Sequence, residues 1–115
     1  MVMDRRVEMA IELMKRNLHH NLTLAELAKG VDLSPSRLRH LFRDEVGSSP
    51  ARYLRALRIE QSEALLRNST LSIKEIALRV GWQDRSHFER QFKKQRGMTP
   101  AQYRAQRSAG LQSME

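Results

Sequence analysis

The chain has 115 residues, and 21 Lys and Arg stand against 13 Asp and Glu, for a formal net charge of +8. This excess favours an anionic partner, nucleic acid first and an acidic membrane surface second. There is no Cys, which excludes disulfide scaffolds, thiolate zinc sites and Cys nucleophiles and suits the cytoplasm, where we expect the protein to act. No apolar run approaches the roughly 20 residues that span a bilayer.

The first predicted element is an amphipathic helix near the N-terminus. Val7, Ile11, Met14 and Leu18 recur at the spacing of one helical face, so we expect this helix to pack on the segment that follows. We also expect the Met residues in this part of the chain to fill the core rather than to line a binding groove.

An internal repeat organises most of the remaining chain. LTLAELAKGVDLS begins at Leu22 and LSIKEIALRVGWQ begins at Leu71, an offset of 49 that becomes 50 after one inserted residue. At the second offset Phe42 matches Phe92. Agreement across roughly thirty positions indicates two copies of one structural unit.

Each copy opens with a predicted capped helix. Thr23 and Glu26 have the spacing of a capping box, and so do Ser72 and Glu75. Apolar residues follow at helical spacing in both copies, at Leu24, Leu27, Ala28 and Val31 and at Ile73, Ile76, Ala77 and Val80.

A tight turn and a second helix complete each copy. Gly81 readily adopts the left-handed conformation that such a turn needs, and its counterpart Asp32 is one of the few other residue types that tolerate it. Ser34 and Asp84 are predicted N-caps, with Pro35 at the first helical position. The short connection is typical of a helix-turn-helix unit.

The signals that end each copy are also repeated. Gly47 and Gly97 stand where a helix C-terminus favours the left-handed conformation. Ser49-Pro50 and Thr99-Pro100 then begin further helices. The first of these is apolar on several faces, which indicates burial between neighbours, and its 18 or so residues would span about 27 Å.

The pattern therefore predicts an all-α fold. Its parts are a first helix-turn-helix unit at 23–46, a long linker helix at 50–68, a second helix-turn-helix unit at 72–96, a final helix at 100–107 and a flexible tail at 108–115. A linker helix of that length could hold two DNA-reading helices about one turn of DNA, roughly 34 Å, apart.

The second helix of each unit has the composition of a recognition helix. The first is expected to bury Leu38, Leu41 and Phe42, and the second Phe88 and Phe92. The other faces carry polar and basic side chains suited to base edges and phosphates. The predicted phosphate contacts are Arg37, Arg43, Lys93, Lys94 and Arg96.

These residues resemble the DNA-binding domain of the AraC/XylS family of bacterial transcription regulators. IKEIALRVGWQDRSHFERQFKKQRGMTPAQYR, from Ile73 to Arg104, is similar to the family pattern I-A-x-x-x-G-F, S-x-F-x-R-x-F-K and G-x-[ST]-P-x-x-Y-R. LSPSRLRHLFR and RIEQSEALL fit as well, and the resemblance covers residues 5–107. Trp82 stands where Phe is usual, and Ser62 where Ala is usual.

The resemblance implies seven helices in two helix-turn-helix subdomains that read two successive major-groove segments of double-stranded DNA. It implies activation of transcription through contact with RNA polymerase, and no small-molecule ligand in this domain. The residues themselves offer no catalytic or cofactor motif and no His or Cys spacing suited to a metal, so we expect no enzymatic activity, no cofactor and no metal. The base-contacting residues that the resemblance implies are Ser36, Arg39, His40, Arg85, Ser86, His87, Glu89 and Arg90.

Two alternatives to a sequence-specific regulator follow from the sequence. Charge alone would allow a non-specific nucleic-acid or membrane-surface binder, whereas an enzyme has no support because no phosphate-loop or nucleophile-elbow motif occurs. We expect the chain to be the C-terminal domain of a longer regulator, and a stand-alone domain is the alternative.

Overall fold

Seven α-helices and no strand make up the part of the chain that the computed structural model describes, residues 2–20 and 22–113. The all-α fold class with seven helices is thus confirmed. The helices are Arg5–Arg16 (α1), Leu24–Gly30 (α2), Pro35–Val46 (α3), Pro50–Asn68 (α4), Ile73–Arg79 (α5), Arg85–Arg96 (α6) and Pro100–Ser113 (α7). The chain divides into two units, and the boundary lies within α4, between Leu57 and Arg58.

The last helix is longer than the sequence analysis predicted. It continues to Ser113 instead of ending at 107, so the segment 108–113 of the expected flexible tail is helical, while residues 114 and 115 lie outside the described residues. Ala, Gln and Arg predominate after Pro100, and no further Pro interrupts them. Since these residues favour helix, nothing local ends α7 at 107.

The first unit packs α1, α2, α3 and the first half of α4 around one core. Met14, Leu38 and Phe42 are fully buried in it, as the helical spacing predicted. Met9 contradicts the expectation that the Met residues here fill the core, because its position on α1 leaves it 45% exposed.

The second unit has its own core, formed by the rest of α4 with α5, α6 and α7. Phe88 and Phe92 are fully buried there. The ring of Phe92 meets Tyr103 edge to face at a centroid distance of 5.5 Å, and Phe42 meets Tyr53 in the same way at 5.4 Å in the first unit. The sequence repeat is therefore also a repeat of side-chain packing.

The predicted helix starts are confirmed in both units. The Thr23 hydroxyl accepts from the Glu26 backbone N–H and the Glu26 carboxylate accepts from that of Thr23, which completes a capping box. At Ser72 the hydroxyl accepts from the Glu75 N–H and donates to the Glu75 carboxylate, so the predicted capping box is only half formed there. The remaining predicted N-caps, Ser34, Ser49, Asp84 and Thr99, each accept a backbone N–H three residues ahead.

The predicted left-handed residues are confirmed as well. Asp32 has φ 57° and Gly81 has φ 99°, so the turns of the two units bend alike although only one of them contains Gly. Gly47 and Gly97, with φ 88° and 78°, end α3 and α6. Each of α3 and α6 therefore begins and ends at a defined residue, which limits the face that it can present.

Ser62 replaces the usual Ala without leaving a buried hydroxyl unsatisfied. Its side chain is fully buried in α4, and its hydroxyl donates to the carbonyl oxygen of Ile59 at 2.6 Å. Because a Ser in a helix can bond the carbonyl of the preceding turn, the substitution costs little packing or hydrogen bonding.

Candidate nucleic-acid interface

The helix α3 has one anchored face and one exposed polar face. Leu38 and Phe42 lie one helical turn apart and are fully buried, so they fix the rotation of α3 about its axis. All five residues of α3 that the sequence analysis assigned to DNA are exposed, namely Ser36, Arg37, Arg39, His40 and Arg43.

The helix α6 repeats this arrangement with more positive charge. Phe88 and Phe92 anchor it, one helical turn apart. Of the eight α6 residues assigned to DNA, Glu89 is half-buried and the other seven are exposed, namely Arg85, Ser86, His87, Arg90, Lys93, Lys94 and Arg96. The last turn carries three cations, which suits a helix C-terminus and also a phosphate backbone.

Two of the candidate base readers in α6 contact each other. The Nε of Arg85 donates to the Oε1 of Glu89, four residues later on the same helix. This contact occupies Glu89 but uses only the inner nitrogen of the guanidinium. The two terminal nitrogens of Arg85 remain available to guanine O6 and N7, which Arg binds in a bidentate manner.

One candidate phosphate contact is engaged within the protein. Arg96, at the end of α6, donates from Nε to Oε1 of Glu63 at 2.9 Å, and its Nη2 lies 2.8 Å from the same oxygen. The side chain of Glu63 is 17% exposed, so this ion pair is partly shielded from solvent. The pair ties α6 to α4, a role that the sequence analysis did not assign to Arg96.

A buried aromatic residue connects the core of the second unit to the exposed face of α6. Trp82, in the turn before α6, is 4% exposed and belongs to the core of the second unit. Its ring meets His87 edge to face at 5.0 Å, and the guanidinium of Arg58 lies 5.9 Å from its centroid. Desolvation by burial lowers the pKa of Arg58, although a guanidinium stays protonated.

The end of α4 is held by two Arg residues that sequence reasoning missed. Arg104 in α7 donates to the carbonyl oxygens of Leu66 and Ser69 at 3.2 and 3.3 Å, where α4 leaves carbonyls without helical partners. Arg67 donates to the Tyr103 hydroxyl at 3.2 Å. The available signal was the Tyr-Arg pair that closes the family pattern at Arg104.

The described residues give little support for a metal site or a membrane-spanning segment. No three His, Cys, Asp or Glu side chains come together there as a metal site would require. None of the helices in the same residues is both long and apolar enough to cross a membrane.

α3 and α6 each have one buried face and one polar face, and each follows a short helix and a tight turn. This arrangement defines a helix-turn-helix domain. A family model described as a helix-turn-helix domain matches residues 27–106. The chain is 38% identical over 104 residues to the arabinose operon regulatory protein of Escherichia coli strain K12, an alignment that covers 90% of this chain and 36% of that protein. The chain spans about a third of the length of the first curated relatives that it matches.

Solved structures extend the likeness to the fold. A transcriptional regulator with an AraC-type DNA-binding domain from Chromobacterium violaceum is 30% identical, with a TM-score of 0.84, over 89% of this chain and 91% of that one. The DNA-binding domain of AdpA, solved in complex with a target DNA, is 28% identical with a TM-score of 0.88, over 92% and 96%. The chain belongs to the AraC/XylS family.

Proposed function

We propose that this domain binds double-stranded DNA sequence-specifically as part of a transcription regulator, with α3 and α6 as its two recognition helices. The carrying observation is that both helices combine two fully buried anchors, one turn apart, with an exposed polar face. A helix held on one face and polar on the other suits the major groove. Two such helices in one chain would read two adjacent segments of one site.

The proposed base contacts follow from side-chain chemistry. Arg39, Arg85 and Arg90 would bind guanine in a bidentate manner, since this is the commonest specific contact of Arg. Glu89 would hold Arg85 through Oε1, as it does in the free protein, and would accept from cytosine N4 through its other carboxylate oxygen. The smaller contacts would come from the hydroxyl and imidazole side chains on the same faces, Ser36, His40, Ser86 and His87.

The proposed phosphate contacts lie on the flanks and in the later turns of both helices. Arg37, Arg43, Lys93 and Lys94 are exposed, and none of them forms an ion pair with the described residues. Arg96 would contribute less to phosphate binding than its neighbours, because Glu63 already neutralises its guanidinium. Contacts of this kind set affinity and register without reading sequence.

The regulatory part of the proposal concerns the protein to which this domain belongs. We infer activation of transcription, with RNA polymerase as the protein partner and the chromosome in the cytoplasm as the place of action. The relative named above is a regulatory protein, which supports regulation rather than catalysis. Under this proposal, expression of a reporter gene placed behind the preferred site would increase when the regulator is present. Decreased expression would indicate repression instead.

The test is a selection of bound duplexes from a random pool, followed by competition. The proposal predicts one preferred site that random duplex displaces poorly and that anionic vesicles do not displace, with an affinity that falls steeply as salt rises. Equal binding to all duplexes, or displacement by vesicles, would instead favour the non-specific binder that the net charge of +8 allows.

A further inference from the structure

Trp82 lies between the core of the second unit and the exposed polar face of α6. Its ring is almost fully buried, whereas His87 in the first turn of α6 is exposed. The two ring planes are 79° apart at a centroid distance of 5.0 Å, which is the preferred edge-to-face geometry of aromatic pairs. One side of the imidazole therefore rests on a buried partner.

The Trp82 ring is itself fixed from several directions. The guanidinium carbon of Arg58 lies 5.9 Å from its centroid, within the range of a cation–π contact, and Arg58 is only 9% exposed. Phe88 packs beside it at 6.3 Å. The backbone N–H of Trp82 donates to the carbonyl of Ala77 at 2.9 Å. A ring held in this way is a rigid platform.

The backbone of His87 is anchored as well as its ring. Its N–H donates to the Oδ1 of Asp84, the N-cap of α6, at 2.7 Å. With the backbone fixed by the cap and the imidazole fixed by Trp82, few rotamers remain to the side chain. An exposed His on a helix would otherwise choose among several staggered rotamers.

The first unit has no equivalent of this platform. Leu33 is the counterpart of Trp82, since its N–H donates to the carbonyl of Ala28 at 2.9 Å just as that of Trp82 donates to Ala77. Leu33 offers no aromatic ring, and His40 in α3 has no ring contact among the described residues. His40 aligns with Arg90 rather than with His87 in the repeat, but it is the exposed His of α3 that lacks an aromatic partner, so it serves as a reference for His87.

We propose that Trp82 is a positioning residue that pre-orients the imidazole of His87 toward a base edge in the major groove. The inference rests on the proposed function, in which His87 contacts a base. A side chain that is ordered before binding loses less rotamer freedom on binding, so its contact discriminates better between bases. Phe would keep the site apolar, but its single ring is shorter than an indole and would leave His87 less supported.

The binding test compares wild type, Trp82→Phe, His87→Ala and the double variant on the preferred duplex and on duplexes changed at one base pair at a time. His87→Ala is expected to lose discrimination at one base pair. Trp82→Phe should lose about twofold to tenfold at that same base pair and nothing elsewhere, the range expected of one aromatic pair. In the Trp82→Phe background, His87→Ala should cost less than in wild type.

A control variant separates positioning from general damage to the domain. Arg39→Ala, in the other unit, should combine additively with Trp82→Phe, because the two sites share no partner. Uniform weakening at all base pairs by Trp82→Phe would overturn the inference and leave the proposed function standing. If no duplex is preferred at all, the proposed function itself fails.

The inference can also be tested on the wild-type protein, without a variant. NMR relaxation of the two imidazole rings in the DNA-free domain should show His87 more ordered on the picosecond to nanosecond timescale than His40. The ring protons of His87 should also be shifted by the indole. Equal disorder of the two rings would overturn the inference whatever the binding data show.

Discussion

Glu63 of α4 binds Arg96 of α6 through a carboxylate oxygen that lies 2.9 Å from Nε and 2.8 Å from Nη2 of the guanidinium. The two residues are 33 positions apart in the sequence. The contact joins the last turn of α6, one of the two proposed recognition helices, to the long helix α4. A residue of the basic surface is thus also part of what holds that surface in place.

Loss of the Glu63 charge should destabilise the second unit. Glu63→Gln removes the charge but keeps the shape, so the free energy of unfolding should fall by about 1 kcal/mol, as expected of a partly shielded ion pair. Glu60→Gln is the matched control, because Glu60 is an exposed carboxylate on the same helix. Urea unfolding of both variants measures the difference, and equal stability of the two would contradict the structural role.

Lys93 should contribute to affinity for DNA without contributing to the choice of sequence. Lys93→Ala is expected to weaken binding to the preferred and to random duplexes alike, and to reduce the slope of log affinity against log salt by about 1. Titrations at several salt concentrations check both quantities. A change in the ratio of preferred to random binding would mean that Lys93 reads bases.

Local signals in the sequence predicted the framework of the fold, because each depends on residues close together in the chain. Thr99 caps α7 and Asp32 adopts φ 57° for reasons that are visible within four residues. The contacts of Glu63 with Arg96 and of Trp82 with His87 depend on rotamers and packing, which periodicity does not specify. The end of α7 was missed because the segment after 107 has no apolar period and includes Gly110, which lowers helix propensity but does not end the helix.

Gly97 should be difficult to replace for conformational reasons alone. A Cβ there would meet no atom within 4 Å, but the residue has φ 78°. Gly97→Ala should therefore lower the free energy of unfolding by about 1 kcal/mol. Gly97→Asn should lose less, since Asn tolerates the left-handed region better. Thermal unfolding of the two variants checks the order, and a more stable Ala variant would contradict it.

Asp4 should stabilise the first unit in a pH-dependent manner. Hydrogen bonds from the side chain and then the backbone N–H of Arg6 hold the pKa of Asp4 below its usual value. A lowered pKa means that the contribution is complete above about pH 4, the ordinary pKa of Asp, and is lost as the pH falls through the folded-state pKa. Asp4→Asn keeps a capping oxygen but has no charge.

The melting temperature of wild type should accordingly exceed that of Asp4→Asn at neutral pH, and the gap should close in acid. Thermal unfolding at a series of pH values measures the gap. A gap that is constant down to the most acidic pH would show that the charge of Asp4 is not its source.

The most direct test of the central claim, that α3 and α6 each read their own segment of one site, is a base-by-base comparison of Arg39→Ala and Arg90→Ala. Affinities are measured for duplexes substituted at every position of the preferred site. We predict that each variant loses about 1–3 kcal/mol of discrimination at its own base pair, and that the two positions lie about ten base pairs apart. Loss at the same base pair, or uniform weakening by both variants, would contradict the claim.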